Sequence, residues 1–287
     1  MRKNFEIPST NEVMELLAKG LSEVPLNNEE LEIVGQYYHL EAPQEIYRYR
    51  PAELREIEAL TKNKIWFSQI SELNDPFECD FNIDMKKFAE SIEEVKNLLP
   101  NMNSWQKQLL TQELSKLSDE ACREFCNIFH NNAITCFSKK NDSLLMWGHY
   151  ASGHRGICVE YNISELIRTN NKTVIPVNYS NKKPFLTGAD SISVMRFFLQ
   201  TIRTKHTDWI YEDEWRCIQD KEACGENWTA KGALLDSSPP TAIYVGCEAD
   251  DIFVEQLTCV CKNILKIPLY KMVKSRDEYK LLPELIT

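Results

Sequence analysis

Runs that read as strands recur along this chain without the regular strand-then-helix alternation of a doubly wound sheet, and that spacing constrains the fold more than any single motif. Glu45-Ile-Tyr-Arg-Tyr-Arg50 alternates as a strand should, and Pro51 opens a short helical pattern before the second run, Lys64-Ile-Trp-Phe-Ser68. Ala133-Ile-Thr-Cys-Phe-Ser138, Gly156-Ile-Cys-Val-Glu-Tyr161, residues 172–179, Glu214–Ile218, Ala242-Ile-Tyr-Val-Gly-Cys247 and Ile267-Pro-Leu-Tyr-Lys-Met-Val273 continue the series. Helical patterns at Ser143–Ala151, 190–204 and 250–263 separate them. The pattern predicts an α+β fold around a mixed or split β-sheet core of about seven strands.

Residues 1–43 read as a helical N-terminal extension, with Asn11 capping one segment, Asn27 or Asn28 capping the next, and Pro43 ending the pattern. Residues 44–287 then form a single α+β domain, into which a helical pattern from Met85 to about Phe129 inserts an all-helical block over residues 85–130. With 9 Gly and 12 Pro in 287 residues, the chain has no low-complexity linker, and no internal repeat is found.

The formal net charge of -10 argues against broad adhesion to nucleic acid or anionic membrane. A basic macromolecule or a small molecule is the easier partner. The ten cysteines sit mostly in apolar or periodic stretches and form no Cys-x-x-Cys pair. They read as small buried hydrophobes of a reduced, cytoplasmic protein. No signal-peptide core and no run of membrane-spanning length is seen.

Chemistry is best sought in Trp209-Ile-Tyr-Glu-Asp-Glu-Trp-Arg-Cys217, where two carboxylates stand two residues apart in a β-favouring aromatic run. On an extended strand Glu212 and Glu214 share a face, and mutual repulsion with partial burial can divide their roles. The plain structural reading is an edge strand with a solvated acidic face and Arg216 or Lys221 as counterions. Asn74 and Asp75, in the turn Ser71–Glu78, can border a ligand or simply hydrogen-bond local backbone. In Met146-Trp-Gly-His-Tyr-Ala-Ser-Gly-His-Arg155 the two histidines are five apart, which does not suit one helical face, so no metal site is expected. His149 reads either as a satisfied core histidine or as a ligand contact. Cys136 lies mid-strand with nothing to depress its pKa, and Ser138 ends its strand where a hydroxyl serves a ligand or begins a turn. Neither a P-loop nor a Gly-x-Gly-x-x-Gly fingerprint occurs.

Ile46–Arg50, Trp66-Phe-Ser68 with Leu73–Glu78, Thr135–Ser138, Met146–Tyr150 with His154-Arg-Gly156, and Trp209–Arg216 together resemble a bacterial domain-of-unknown-function family, number 2971, over about residues 46–280. The order of these motifs also resembles that of the ADP-ribosyltransferase fold, in which an early strand carries an Arg or His, a middle strand ends in Ser or Tyr, and a late strand carries a Glu. That resemblance implies Arg48 as the early basic residue, Ser138 as the middle hydroxyl, and Glu212 and Glu214 as the late acids. It also implies NAD as substrate, with Glu214 facing the ribosyl cation and Glu212 the acceptor. Arg48 or Arg50 would meet the pyrophosphate or adenosine ribose, and Tyr47 or Trp147 would stack on nicotinamide or adenine.

The expectation is therefore an enzyme cleaving NAD and transferring ADP-ribose to a macromolecular acceptor, in a toxin or phage-defence role with a cognate antitoxin as partner. Two alternatives stand beside it: a non-catalytic ligand- or protein-binding module on the same scaffold, and a metal-dependent nucleotide or nucleic-acid hydrolase.

Overall fold

Alternation in Glu45-Ile-Tyr-Arg-Tyr-Arg50 is realised as strand β1 (Glu45–Arg50) in a computed structural model that describes residues 8–22, 24–83, 103–106, 108, 129–169, 173–186 and 191–287. The other strands in chain order are β2 (Lys64–Gln69), β3 (Asn82–Ile83), β4 (Asn132–Ser138), β5 (Ile157–Asn162), β6 (Thr173–Pro176), β7 (Asn178–Tyr179) and β8 (Phe185–Leu186). They continue as β9 (Thr204–Lys205), β10 (Glu214–Asp220), β11 (Trp228–Thr229), β12 (Gly232–Asp236), β13 (Ala242–Val245), β14 (Leu269–Lys274) and β15 (Leu281–Leu285). Most expected strands are present within a residue or two.

The chain divides into two compact units, one drawn from residues 1–41, 74–131 and 180–205, the other from 42–73, 132–179 and 206–287. In the first, helices Thr10–Leu21 and Asn28–Leu40 begin behind side-chain caps. Ser9, not Asn11, caps the former by accepting from Glu12 N at 3.2 Å. Helix Ser191–Arg203 belongs to the same unit and buries Phe197, Phe198, Leu199 and Ile202. The ring of Phe81 stacks on Phe129 and meets Phe197 edge-on. Apart from residues 103–106, 108, 129 and 130, the expected helical insertion over 85–130 lies outside the described residues.

The second unit holds a mixed sheet of eleven strands rather than about seven, in the order β11-β12-β2-β4-β1-β5-β13-β14-β15, with β10 on β4 and β6 on β10. The strands with no counterpart among the runs read from the sequence are β11, β12 and β15. β11 is two residues long, and β15 carries Pro283, which demotes a run in a sequence reading but is tolerated at the end of a sheet where no further strand needs its N–H. Within this sheet, among the described residues, the pairings are antiparallel except β13 with β14. A parallel pair needs a long connection, and helix Asp251–Val260 supplies it.

The sheet forks at β4. One edge of β4 pairs with β10 along its whole length, from Asn132 to Ser138. The other edge is shared, β2 pairing at Ala133 and Ile134 and β1 only at Ser138. Between the two, the Arg48 guanidinium donates to the Trp66 carbonyl at 3.0 Å.

The core explains the cysteines. Among the described residues eight are free thiols, with Cys158, Cys217 and Cys261 wholly buried, while Cys259 departs from the expectation by being exposed on the outer side of its helix. Among the described residues no helix is long and apolar enough to cross a membrane.

Candidate functional site

The acidic stretch does not form one extended strand. Thr207–Glu212 winds as a 3₁₀ turn, Asp213 takes a left-handed conformation (φ 46°, ψ 54°), and β10 begins only at Glu214. Asp is among the few non-glycine residues that visit this region readily, so the break falls where the chain tolerates it. The expectation that Glu212 and Glu214 share a strand face is thereby corrected. Also corrected is the solvated edge strand, because β10 lies between β4 and β6 and both glutamates are buried.

Each carboxylate has its own partner. Glu212 closes the 3₁₀ turn and accepts from the Tyr150 hydroxyl at 2.6 Å. Tyr150 stands at the end of helix Leu144–Tyr150, which Ser143 caps. Glu214 is held by Arg216, two residues on and therefore on the same face of β10, with Nε at 2.9 Å from one oxygen and a terminal nitrogen at 3.2 Å from the other. Arg216 is wholly buried, so this is an interior, bidentate ion pair. The Glu214 backbone N–H donates to the Tyr179 hydroxyl at 2.9 Å, which fixes the start of the strand.

Strand register supplies the third part. Tyr47 on β1 is opposite Ser138 on β4, and Ser138 is opposite Glu214 on β10. Directly opposed residues of antiparallel strands point to the same side. A hydroxyl-bearing ring, a hydroxyl and a carboxylate thus stand in one row across three neighbouring strands. Ser138 is wholly buried, and its oxygen also accepts from Lys140 N at 3.1 Å, so it serves the following turn.

Around Tyr47 the same side is rich in rings and has a further, half-buried acid. Glu160, opposite Tyr47 on β5, accepts from the Tyr244 hydroxyl at 2.7 Å and the Thr241 hydroxyl at 2.8 Å. Burial, and then the nearby Glu160 charge, push the phenols of Tyr47 and Tyr244 well above the ordinary tyrosine range. Tyr244 stacks on Tyr270 with centroids 5.1 Å apart and meets Tyr47 edge-on at 6.1 Å. Tyr150 and Tyr211 pack against the same cluster.

Other expected site residues are placed elsewhere. Alternation along β1 turns Arg48 and Arg50 away from Tyr47. Arg50 is bound bidentately to Glu56, with Nε at 2.8 Å. Trp147 is wholly buried, edge-on to Tyr49, and donates to the Asn141 carbonyl at 2.7 Å, so it has no face left for a ligand. His149 is exposed beside Tyr150 and Tyr211 instead of sitting in the core. Asn74 and Asp75 belong to the other unit, where the buried Asp75 carboxylate accepts from Phe77 N at 2.9 Å. Among the described residues no group of three or more His, Cys, Asp or Glu side chains is arranged to hold a metal.

Tyr150, Glu160, Tyr179, Tyr244 and the clamping role of Arg216 were missed. The signal for Glu160 was there: a single acid within Gly156-Ile-Cys-Val-Glu-Tyr161, an otherwise apolar interior strand, needs hydrogen-bond partners. No sequence feature pairs Tyr150 with Glu212, 62 positions apart.

Residues 146–217 match the model of a family described as a protein of unknown function (DUF2971), from helix Leu144–Tyr150 into β10. This is narrower than the 46–280 range of the resemblance and takes in Glu160, Tyr179, Glu212, Glu214 and Arg216. No curated protein and no solved structure matches the chain.

Proposed function

We propose that the face built by Tyr47, Ser138 and Glu214 is an NAD site and that the protein is an ADP-ribosyltransferase-like enzyme acting on a macromolecule. The observation that carries this reading is the row itself: the early, middle and late strands named by the resemblance are β1, β4 and β10, they are neighbours in that order, and Tyr47, Ser138 and Glu214 are in register. Tyr47, not Arg48, occupies the early position. Breaking the glycosidic bond sends its electron pair out with neutral nicotinamide and leaves an oxocarbenium-like charge on the ribose. Glu214, oriented by Arg216, would stabilise that charge. The acceptor nucleophile then bonds to the same ribose carbon, and its proton passes to Glu212, whose other role is to hold the Tyr150 hydroxyl. The tyrosine-rich surroundings suit the cationic nicotinamide ring of the substrate.

The test is release of nicotinamide from NAD by the purified protein. Glu214→Gln removes the charge with little change of volume and is expected to lower release by about 10²- to 10³-fold. Glu212→Gln is expected to depress transfer while sparing NAD hydrolysis. A rate from Glu214→Gln equal to that of the unaltered protein would end the assignment.

A second reading, the non-catalytic binding module, is favoured by one observation. Arg216 engages both oxygens of Glu214 in a buried pair, which leaves that carboxylate less able to serve a ligand. It predicts thermal stabilisation by NAD without turnover.

A further inference from the structure

The other side of β1 carries a different set of charges. Arg48, Arg50, Arg55, Lys62, Lys64 and Lys231 line a cavity of about 560 Å³, against only three lining carboxylates, Glu56, Glu58 and Glu72. An excess of positive charge here is notable because the chain as a whole is at -10. Most of these cations are spoken for. Arg50 and Arg55 share Glu56, Lys62 binds Glu58 at 2.6 Å, and Lys64 binds Asp236 at 3.0 Å.

Two are not. Arg48 makes one hydrogen bond, to the Trp66 carbonyl, and among the described residues neither it nor Lys231 has an ion pair. Burial, and next the like charge of Arg50, push the Arg48 guanidinium down to about 10, so it remains charged at neutral pH, and the nearby Glu56 that offsets part of this shift is already bound by Arg50. The rest of the lining includes Trp66, Ile157, Val159 and Leu234, an apolar surface beside the unpaired cations. The volume lies within the range of small-molecule sites, about 300–1,000 Å³.

We propose that this cavity, at the fork between β1 and β2, binds an organic phosphate of nucleotide size, with the phosphate on Arg48 and Lys231 and the organic part against Trp66 and Leu234. Arg48 has the planar fork that phosphate recognition uses, and Lys231 adds a mobile charge at the rim. The site uses the face of β1 opposite Tyr47 and does not rest on the NAD reading.

Isothermal titration of the full chain with inorganic pyrophosphate and with ADP, without added metal, tests this. Both are expected to bind, ADP the tighter. Arg48→Gln should weaken both by about tenfold or more, the loss of one charge-assisted contact. Because Arg48 also bridges the fork, Lys231→Glu is the companion variant; Lys231 is exposed and makes no ion pair among the described residues, so the melting temperature of that variant should be unchanged while both affinities fall. The NAD reading is read from nicotinamide release and this site from pyrophosphate binding, so a failure of one and a failure of the other are told apart. The proposal is overturned if neither probe binds at millimolar concentration, if ADP binds no tighter than pyrophosphate, or if Lys231→Glu binds both as the unaltered chain does.

Discussion

Glu214 and Arg216 show how much one residue's neighbour decides. Two positions apart on an interior strand, they are bound to meet, and neither can be removed alone without exposing the other to a medium that cannot solvate it. Arg216→Met is expected to cost about 3–5 kcal/mol in urea unfolding, the penalty of an uncompensated buried carboxylate. The double variant Glu214→Gln with Arg216→Met should recover much of that loss. Additive losses would show that the pair itself stabilises the sheet beyond satisfying its own charges. Tyr150→Phe supplies the matching test at Glu212: it strips a 2.6 Å bond from a buried carboxylate and should destabilise by about 1–3 kcal/mol.

Helix entry and helix docking are element-scale features, and both depend on short-range chemistry. Asn27 and Glu30 form a reciprocal capping box, each side chain accepting from the other's backbone N–H at 2.9 Å, while Lys19 binds the same Glu30 at 2.6 Å. Asn27→Ala is expected to cost about 1 kcal/mol, read from denaturant midpoints. Helix Leu54–Thr61 is tied to β1 by Glu56 and Arg50. Burial works to raise the Glu56 pKa, but the Arg50 hydrogen bonds and charge outweigh it and hold the carboxyl below its ordinary value. A carboxyl depressed on folding contributes stability above its unfolded pKa and loses it as pH falls through the folded one. The stability gap between the unaltered chain and Glu56→Gln should therefore be full at neutral pH and shrink on acidification below the ordinary carboxylate range. A gap that does not change with pH would remove the ion pair as its cause.

For the sheet as a whole, close backbone approach matters more than any single side chain. A Cβ on Gly246 would lie 2.0 Å from the His154 carbonyl oxygen, where β13 and β5 meet the turn after helix Leu144–Tyr150. Gly246→Ala must shift backbone just past the end of β13, and it should abolish or markedly lower the cooperative thermal transition. Gly148, in that same helix, has nothing within 4 Å of its added Cβ, so Gly148→Ala should stabilise by about 1 kcal/mol. Opposite signs at these two glycines would confirm that approach distance, not glycine content, governs the outcome.

Local sequence was enough to determine most strands and the α+β class. Alternation, caps and Pro or Gly breaks act over a few residues, and Glu45–Arg50 and Lys64–Gln69 appear where the pattern puts them. It was not enough for the acidic stretch, where Asp213 breaks the extension and separates Glu212 from Glu214. Nor could it choose Tyr47 over Arg48 for the row with Ser138 and Glu214. Alternation says that Tyr47 and Arg48 point to opposite sides, but only pairing between β1, β4 and β10, some 90 and 75 positions apart, says which side Ser138 and Glu214 share. The same pairing opens the fork at β4 that leaves Arg48 in a cavity where cations outnumber carboxylates. Register and long-range neighbours are set by how the whole sheet buries its two faces, a property that no short stretch of the chain carries.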